Sequence, residues 1–370
     1  MLLFGIVLIS LGSVIPDLKV KLQLNEISSG TLFSILPFGI LAGSLIFGPV
    51  ADRYGYRVLL SVSCFLISAG FTGFAFTHSH NLLSFYTFLI GLGGGAVNGA
   101  TNALVSDISD KDKGANLSLL GVFFGVGAIG IPLILGIVRG YADFEVILKA
   151  VAVLTLLTGL IYMILKFPPP KQPHGFPLAG SLSMFKDKLL IVIAFFLFAQ
   201  SSFEGIINNW TTTYLVDHLS IPQSRALFLL SLFVAGMIVM RLLIGSIFRQ
   251  VSVKRLLSVS FLLIFTGLVF LKCGSIIIIA AAGLFLLGAG LAAGFPVMLG
   301  LVGERYSQLS GTAFSLVLFV ALTGNMIVNF LMGLIARNSG IHHLITVAFA
   351  ELIILVILSM MIFIKKKSNN

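Results

Sequence analysis

Apolar runs of about twenty residues follow one another along almost the whole chain, separated by short polar or glycine-containing breaks. A helix of that length crosses a hydrocarbon core of ~30 Å. The pattern predicts twelve spans, at 1–18, 29–51, 57–77, 81–106, 114–138, 144–166, 188–216, 224–248, 253–272, 274–302, 308–336 and 342–364. The fold class expected is an all-α membrane protein of twelve transmembrane helices, numbered here as spans 1 to 12.

One long polar break interrupts the series. It holds Pro168, Pro169, Pro170, Pro173 and Pro177, which cannot propagate a helix. This divides the chain into an N-terminal six-helix half at 1–166, a linker at 167–187 and a C-terminal six-helix half at 188–370. Sliding the chain against itself by 197 positions supports two homologous halves. Gly48 meets Gly245, Gly91 meets Gly288, Gly93 meets Gly290, Asp107 meets Glu304, Gly114 meets Gly311 and Ser118 meets Ser315. Span 7 starts about nine residues earlier in this register than span 1 can, so span 1 is expected to be short.

Composition agrees with a bilayer as solvent: 58% of residues are hydrophobic and 10% charged, against roughly 25% charged in soluble domains. The net charge of +10 falls between apolar segments without a basic stripe interleaved with aromatics, which excludes nucleic acid as a partner. Fifteen lysines and arginines lie in alternate loops that include Arg53, Arg57, Lys111, Lys113 and Arg249, against seven in the others. The positive-inside rule then puts both termini in the cytoplasm, in the cytoplasmic (inner) membrane. Met1 runs into apolar sequence without a basic n-region, so the first segment reads as mature protein. Cys64 and Cys273 lack metal or redox spacing and read as small apolar fillers.

The inner end of span 2 reads Gly48-Pro49-Val50-Ala51-Asp52-Arg53-Tyr54-Gly55-Tyr56-Arg57. Gly48 allows two helices to approach, Gly55 suits a tight turn, and an acid beside bases permits an ion-pair latch. The stretch resembles the G-x-x-x-D-R-x-G-R-K/R signature of the major facilitator superfamily. That resemblance implies gating by Gly48, Asp52, Arg53, Gly55, Arg57 and Asp107, with Asp52 holding the inner end of span 11 and the bases pairing Asp107 at the end of span 4. In the second half Arg249 stands where the acid would be, which argues against a symmetric second latch.

Span 4 is glycine-rich and places Asn98 and Asn102 one turn apart; span 7 places Gln200, Glu204 and Asn208 on one face beside Trp210. Polar groups at this depth face the protein interior or a cavity. Asn98 and Asn102 are read as substrate contacts over interhelical glue. Glu204, costing about 2.5 kcal/mol or more if ionised in lipid, is read as facing the cavity. Asn325 and Asn329 share a face of span 11 and join the substrate set. Together these segments resemble the fucose:proton symporter family, in which the matching pattern falls on Asn98, Asn102, Glu204, Trp210, Tyr214 and Leu215. Proton-coupled members of that family carry acids at positions that are here Gly12 and Asn98, which leaves Glu204 as the proton-coupling candidate.

Glu351 on span 12 reads as structural, Arg241 as snorkelling or paired near the inner end of span 8, and His78, His80, His342 and His343 as solvated. No metal site, catalytic residues or cofactor are expected, with H+ as the one coupling ion considered. The function expected is secondary active or facilitative transport of a small polar solute, a sugar by preference, by a functional monomer. An exporter of drugs or metabolites would have a broad apolar cavity indifferent to Asn98 and Asn102. A receptor or scaffold would bind without moving solute, and no constellation for an enzyme emerges.

Overall fold

The computed structural model describes residues 1–24, 26–138, 141–171, 184, 186–273 and 276–368, so most of the expected linker lies outside the described residues. Span 1 is Leu2–Leu22, spans 2 and 3 are Glu26–Phe76, span 4 is His80–Ile108, span 5 Lys113–Val138 and span 6 Phe144–Ile164. In the second half, span 7 is Lys188–Asp217, span 8 Gln223–Gly245, span 9 Val253–Cys273, span 11 Ser310–Ser339 and span 12 Leu344–Ser368. Span 10 comes in two pieces, Ile277–Leu291 and Gly294–Arg305. Among the described residues there is no strand, so this is an all-α fold.

Two departures from the expected spans have local causes. Spans 2 and 3 need no loop, because Gly55 alone, at φ +82° and ψ 166°, breaks an otherwise continuous helix. A side chain is strained at such a positive φ, whereas glycine is not. Span 10 is interrupted at Ala292 and Ala293, just ahead of Pro296. Proline lacks the N–H that would bond the Ala292 carbonyl and clashes with the preceding turn, so the helix restarts at Gly294.

The faces match a lipid solvent. Span 6 exposes Val153, Leu154, Leu157 and Ile161 and buries Leu148, Val151 and Thr155 on its other side. Apolar side chains on the outside are stable only where water is replaced by hydrocarbon, and a helix keeps its backbone bonds internal there.

Two compact units form. Unit 1 comprises Met1–Ile108, Phe123–Ser181 and Tyr306–Leu316; unit 2 comprises Ser109–Val122, Leu182–Arg305 and Val317–Asn370. The 197-residue repeat recurs in the packing inside each. In unit 1 a Cβ on Gly91 would stand 2.5 Å from the Leu36 carbonyl, and one on Gly93 2.7 Å from that of Ser63. In unit 2 a Cβ on the repeat partner Gly288 would collide with the Phe233 carbonyl, and one on Gly290 would stand 2.8 Å from that of Ser260. Each pair of contacts is displaced by the same 197 positions, as helices built from homologous halves require.

Candidate functional site

The helix of span 11 opens at Ser310, and its first N–H groups have no partner within the helix. Inside unit 1, Asp52 takes two of them. Its Oδ1 accepts from Gly311 N–H at 3.2 Å, and its Oδ2 from Thr312 N–H at 2.9 Å and Thr312 Oγ1 at 2.6 Å. A carboxylate there also meets the positive end of the helix dipole. Gly48 makes the approach possible, since a Cβ on it would stand 2.4 Å from the Gly311 carbonyl.

Asp107 is matched differently from the expectation. Its carboxylate pairs with Lys171 of the linker at 2.8 Å and accepts from Tyr56 Oη at 2.5 Å and Ser310 Oγ at 3.0 Å. Lys171 also donates to Ser310 Oγ at 2.6 Å and to the Ser307 carbonyl. The expected pairing of Asp107 with the motif bases is therefore corrected: Arg53 lies over the Tyr54 ring at 5.1 Å, and Arg57 is exposed. Tyr56 occupies the side of the motif that faces span 4, so a lysine brought by the linker supplies the cation.

On span 4, Asn102 is 7% exposed and donates to the Asn98 carbonyl at 2.8 Å and the Asn98 Oδ1 at 3.2 Å. Outside its own helix it touches Met1 Sδ at 3.9 Å. Its amide is thus spent mainly on orienting Asn98, which is half-buried.

Unit 2 gathers the rest of the polar set. Gln200, 2% exposed, donates from Nε2 to Glu204 Oε1 at 2.9 Å and to the Leu291 carbonyl, at the break in span 10, at 2.8 Å. Gly294 leaves it room, as a Cβ there would lie 2.3 Å from Gln200 Oε1. Asn325 donates to the Ser201 carbonyl at 2.9 Å, and Asn329 to the Asn325 carbonyl at 2.9 Å and its Oδ1 at 3.1 Å. Both amides lie against Gly205, where a Cβ would stand 2.5 Å from each. Asn208 is exposed and bonds the Glu204 carbonyl at 2.9 Å, and Trp210 packs at Gly333. Asn209, absent from the sequence-based set, donates to Asn329 Oδ1 at 2.9 Å. Its signal was Gly205 one turn earlier, a bare spot that admits amides from span 11.

Two arginines of unit 2 find partners at the start of span 5. Of the two alternatives for Arg241 the structure shows the paired one: it is 8% exposed, its Nη1 donates to the Gly121 carbonyl at 3.3 Å, and its own carbonyl accepts from Ser118 Oγ at 3.0 Å. Arg249, the residue standing in for a latch acid, pairs with Asp112 at 3.2 Å and donates to Asn116 Oδ1. Lys113 reaches the Gly303 carbonyl at 3.1 Å. The start of span 5 is therefore held in unit 2 at the repeat position of Asp52, with the charges inverted. Among the described residues the second half thus has no symmetric copy of the Asp52 contact but an ion pair of opposite arrangement.

A family model described as Major Facilitator Superfamily matches residues 1–271. The chain belongs to that superfamily. It is an integral membrane transporter, not an enzyme. The glucose/mannose transporter GlcP of Bacillus subtilis is 25% identical over 344 residues, covering 89% of this chain and 84% of GlcP. The fold is also that of the E. coli fucose:proton symporter FucP, with a TM-score of 0.79 at 17% identity and 96% of each chain covered. The proton:xylose symporter XylE superposes with a TM-score of 0.78 at 15% identity, over 99% of this chain and 93% of XylE.

Elsewhere in the transporter, His218, His342 and His343 stack in unit 2, with ring centroids 6.0 and 4.2 Å apart. No group of three metal-ligating side chains has metal-site geometry among the described residues. A cleft of unit 1 lined by Phe65, Thr72, Phe76, Tyr86 and Leu156 contains none of the candidate residues.

Proposed function

We propose that this transporter moves a neutral polyhydroxylated solute of the sugar class by alternating access, and that Glu204 carries the coupling proton. The observation behind the reading is the gathering within unit 2 of two hydrogen-bonded sets, Gln200 with Glu204 and Asn325 with Asn329 and Asn209. Amides offer a donor and an acceptor side by side, which is what a hydroxyl needs, and Trp210 offers a face for a sugar ring. Within unit 1, Asn98, oriented by Asn102, offers the same chemistry. The likeness to a glucose/mannose transporter over most of both chains supports the class. The protein works as a monomer in the cytoplasmic membrane with both termini inside, a placement supported by the basic loops.

Uptake of glucose, mannose, fucose and xylose into proteoliposomes, with and without an inward proton gradient, tests this. Wild type is expected to accumulate at least one of them when the gradient is present. Glu204→Gln mimics the protonated acid, so it should keep exchange at equilibrium and lose accumulation. Gradient-driven accumulation by Glu204→Gln would remove Glu204 as the coupling site, and failure of wild type on every sugar would remove the substrate class.

A further inference from the structure

Span 7 carries polar groups on two opposite faces. Gln200 and Glu204 share one; Ser202, about 200° round the helix from Glu204, belongs to the other. Against Ser202 stands Glu351 of span 12, 6% exposed, with its Oε1 2.9 Å from Ser202 Oγ. Ser202 is fully buried, and its Oγ is also 2.9 Å from the Ala199 carbonyl.

A serine hydroxyl has one proton, yet two oxygens stand at bonding distance. If Glu351 were ionised, Ser202 would have to donate to it, leaving Oγ and the Ala199 oxygen facing each other without a proton between them. If Glu351 carries a proton, it donates to Ser202 Oγ and Ser202 donates to Ala199, so both contacts become hydrogen bonds. Burial favours the same form, since an unpaired carboxylate is costly in an apolar surrounding.

Among the described residues no ion pair offsets that cost. Spans 7 and 9 and the turn Ile341–His343 pack against span 12. Lys188 and Asp217 stand at the ends of span 7, Lys254, Arg255, Lys272 and Cys273 at the ends of span 9, and His342 and His343 in the turn, eight or more residues before Glu351. Tyr214, three turns along span 7, donates to the Leu271 carbonyl. The ion pairs among the described residues do not include Glu351.

We propose that Glu351 is a proton-binding site, holding a neutral carboxylic acid whose O–H is donated to Ser202 and which is separate from Glu204. Losing that proton breaks the relay Glu351–Ser202–Ala199 and loosens span 12 from span 7.

The test is infrared spectroscopy of the purified full chain at pH 7 in a maltoside detergent, which has no carbonyl of its own. The wild-type minus Glu351→Gln spectrum should show one protonated-carboxyl C=O band, which Glu204→Gln leaves in place. Ser202→Ala should shift that band to higher wavenumber, because the acid loses its acceptor. An acid region unchanged in Glu351→Gln would overturn the proposal and leave Glu351 an ionised structural group. Should Glu351→Gln fail to fold, an unshifted acid region in Ser202→Ala would do the same. The readout requires no solute movement, so its outcome is independent of the sugar-transport reading.

Discussion

Asn98 and Asn102 look equivalent in sequence, one turn apart on one face, but their surroundings give them unequal roles. Asn102 is buried and satisfied within its own helix, whereas Asn98 keeps amide capacity in a half-buried position. A solute hydroxyl lost from Asn98 removes a hydrogen bond worth about 1 kcal/mol, so Asn98→Ala should weaken sugar binding roughly fivefold. Asn102→Ala acts by releasing Asn98 and should cost less. Because the two residues act as a unit, the double variant is expected to bind no worse than Asn98→Ala alone. Binding isotherms on monodisperse protein check this; additive losses would mean that each amide touches solute independently. Gly205 shows the same dependence on surroundings, since its value lies in the two amides of span 11 that fill its empty side.

Two helices start in exposed loops and are seized by side chains from elsewhere in the chain. Span 11 is capped by Asp52, and span 5 is held through Asp112 and Asn116 by Arg249. The Asp52 contact is buried and charge-assisted. Asparagine keeps an acceptor oxygen but loses the charge, which at a partly buried helix N-terminus contributes about 0.3–2 kcal/mol, so Asp52→Asn should shift the population towards the inward-facing state by about 2- to 30-fold, read as cysteine accessibility from each side. The Arg249–Asp112 pair is exposed, with side chains 39% and 44% accessible, and such pairs contribute about 1 kcal/mol or less. Arg249→Asp is therefore expected to shift accessibility less, to lose its effect at high salt, and to be restored by Asp112→Arg. Equal effects of Asp52→Asn and Arg249→Asp at high salt would contradict this ranking. The latch of unit 1 is the stronger because its carboxylate meets a helix N-terminus out of water.

At the scale of the whole molecule, the apolar spans and the loop charges together set orientation. Fifteen inner against seven outer basic residues predict that a C-terminal tag is protected in intact cells and cleaved once the membrane is opened. A tag digested in intact cells would reverse the topology. The sequence by itself determined the spans, the repeat at 197 positions and the motif around Asp52, because apolar length, loop charge and short-range spacing are properties of contiguous residues. Homology then carried the glycine contacts of one half into the other without further information. Only the tertiary structure decided partners: Lys171 for Asp107, Asp112 for Arg249, Gly121 for Arg241, Ser202 for Glu351 and Asn329 for Asn209. Those pairs are separated by 64 to 149 residues, and a polar group takes whichever partner packing brings within hydrogen-bonding reach, most stringently where it is buried. Sequence spacing within a helix fixes which face such a group occupies, but what stands opposite that face is set by how separate helices pack.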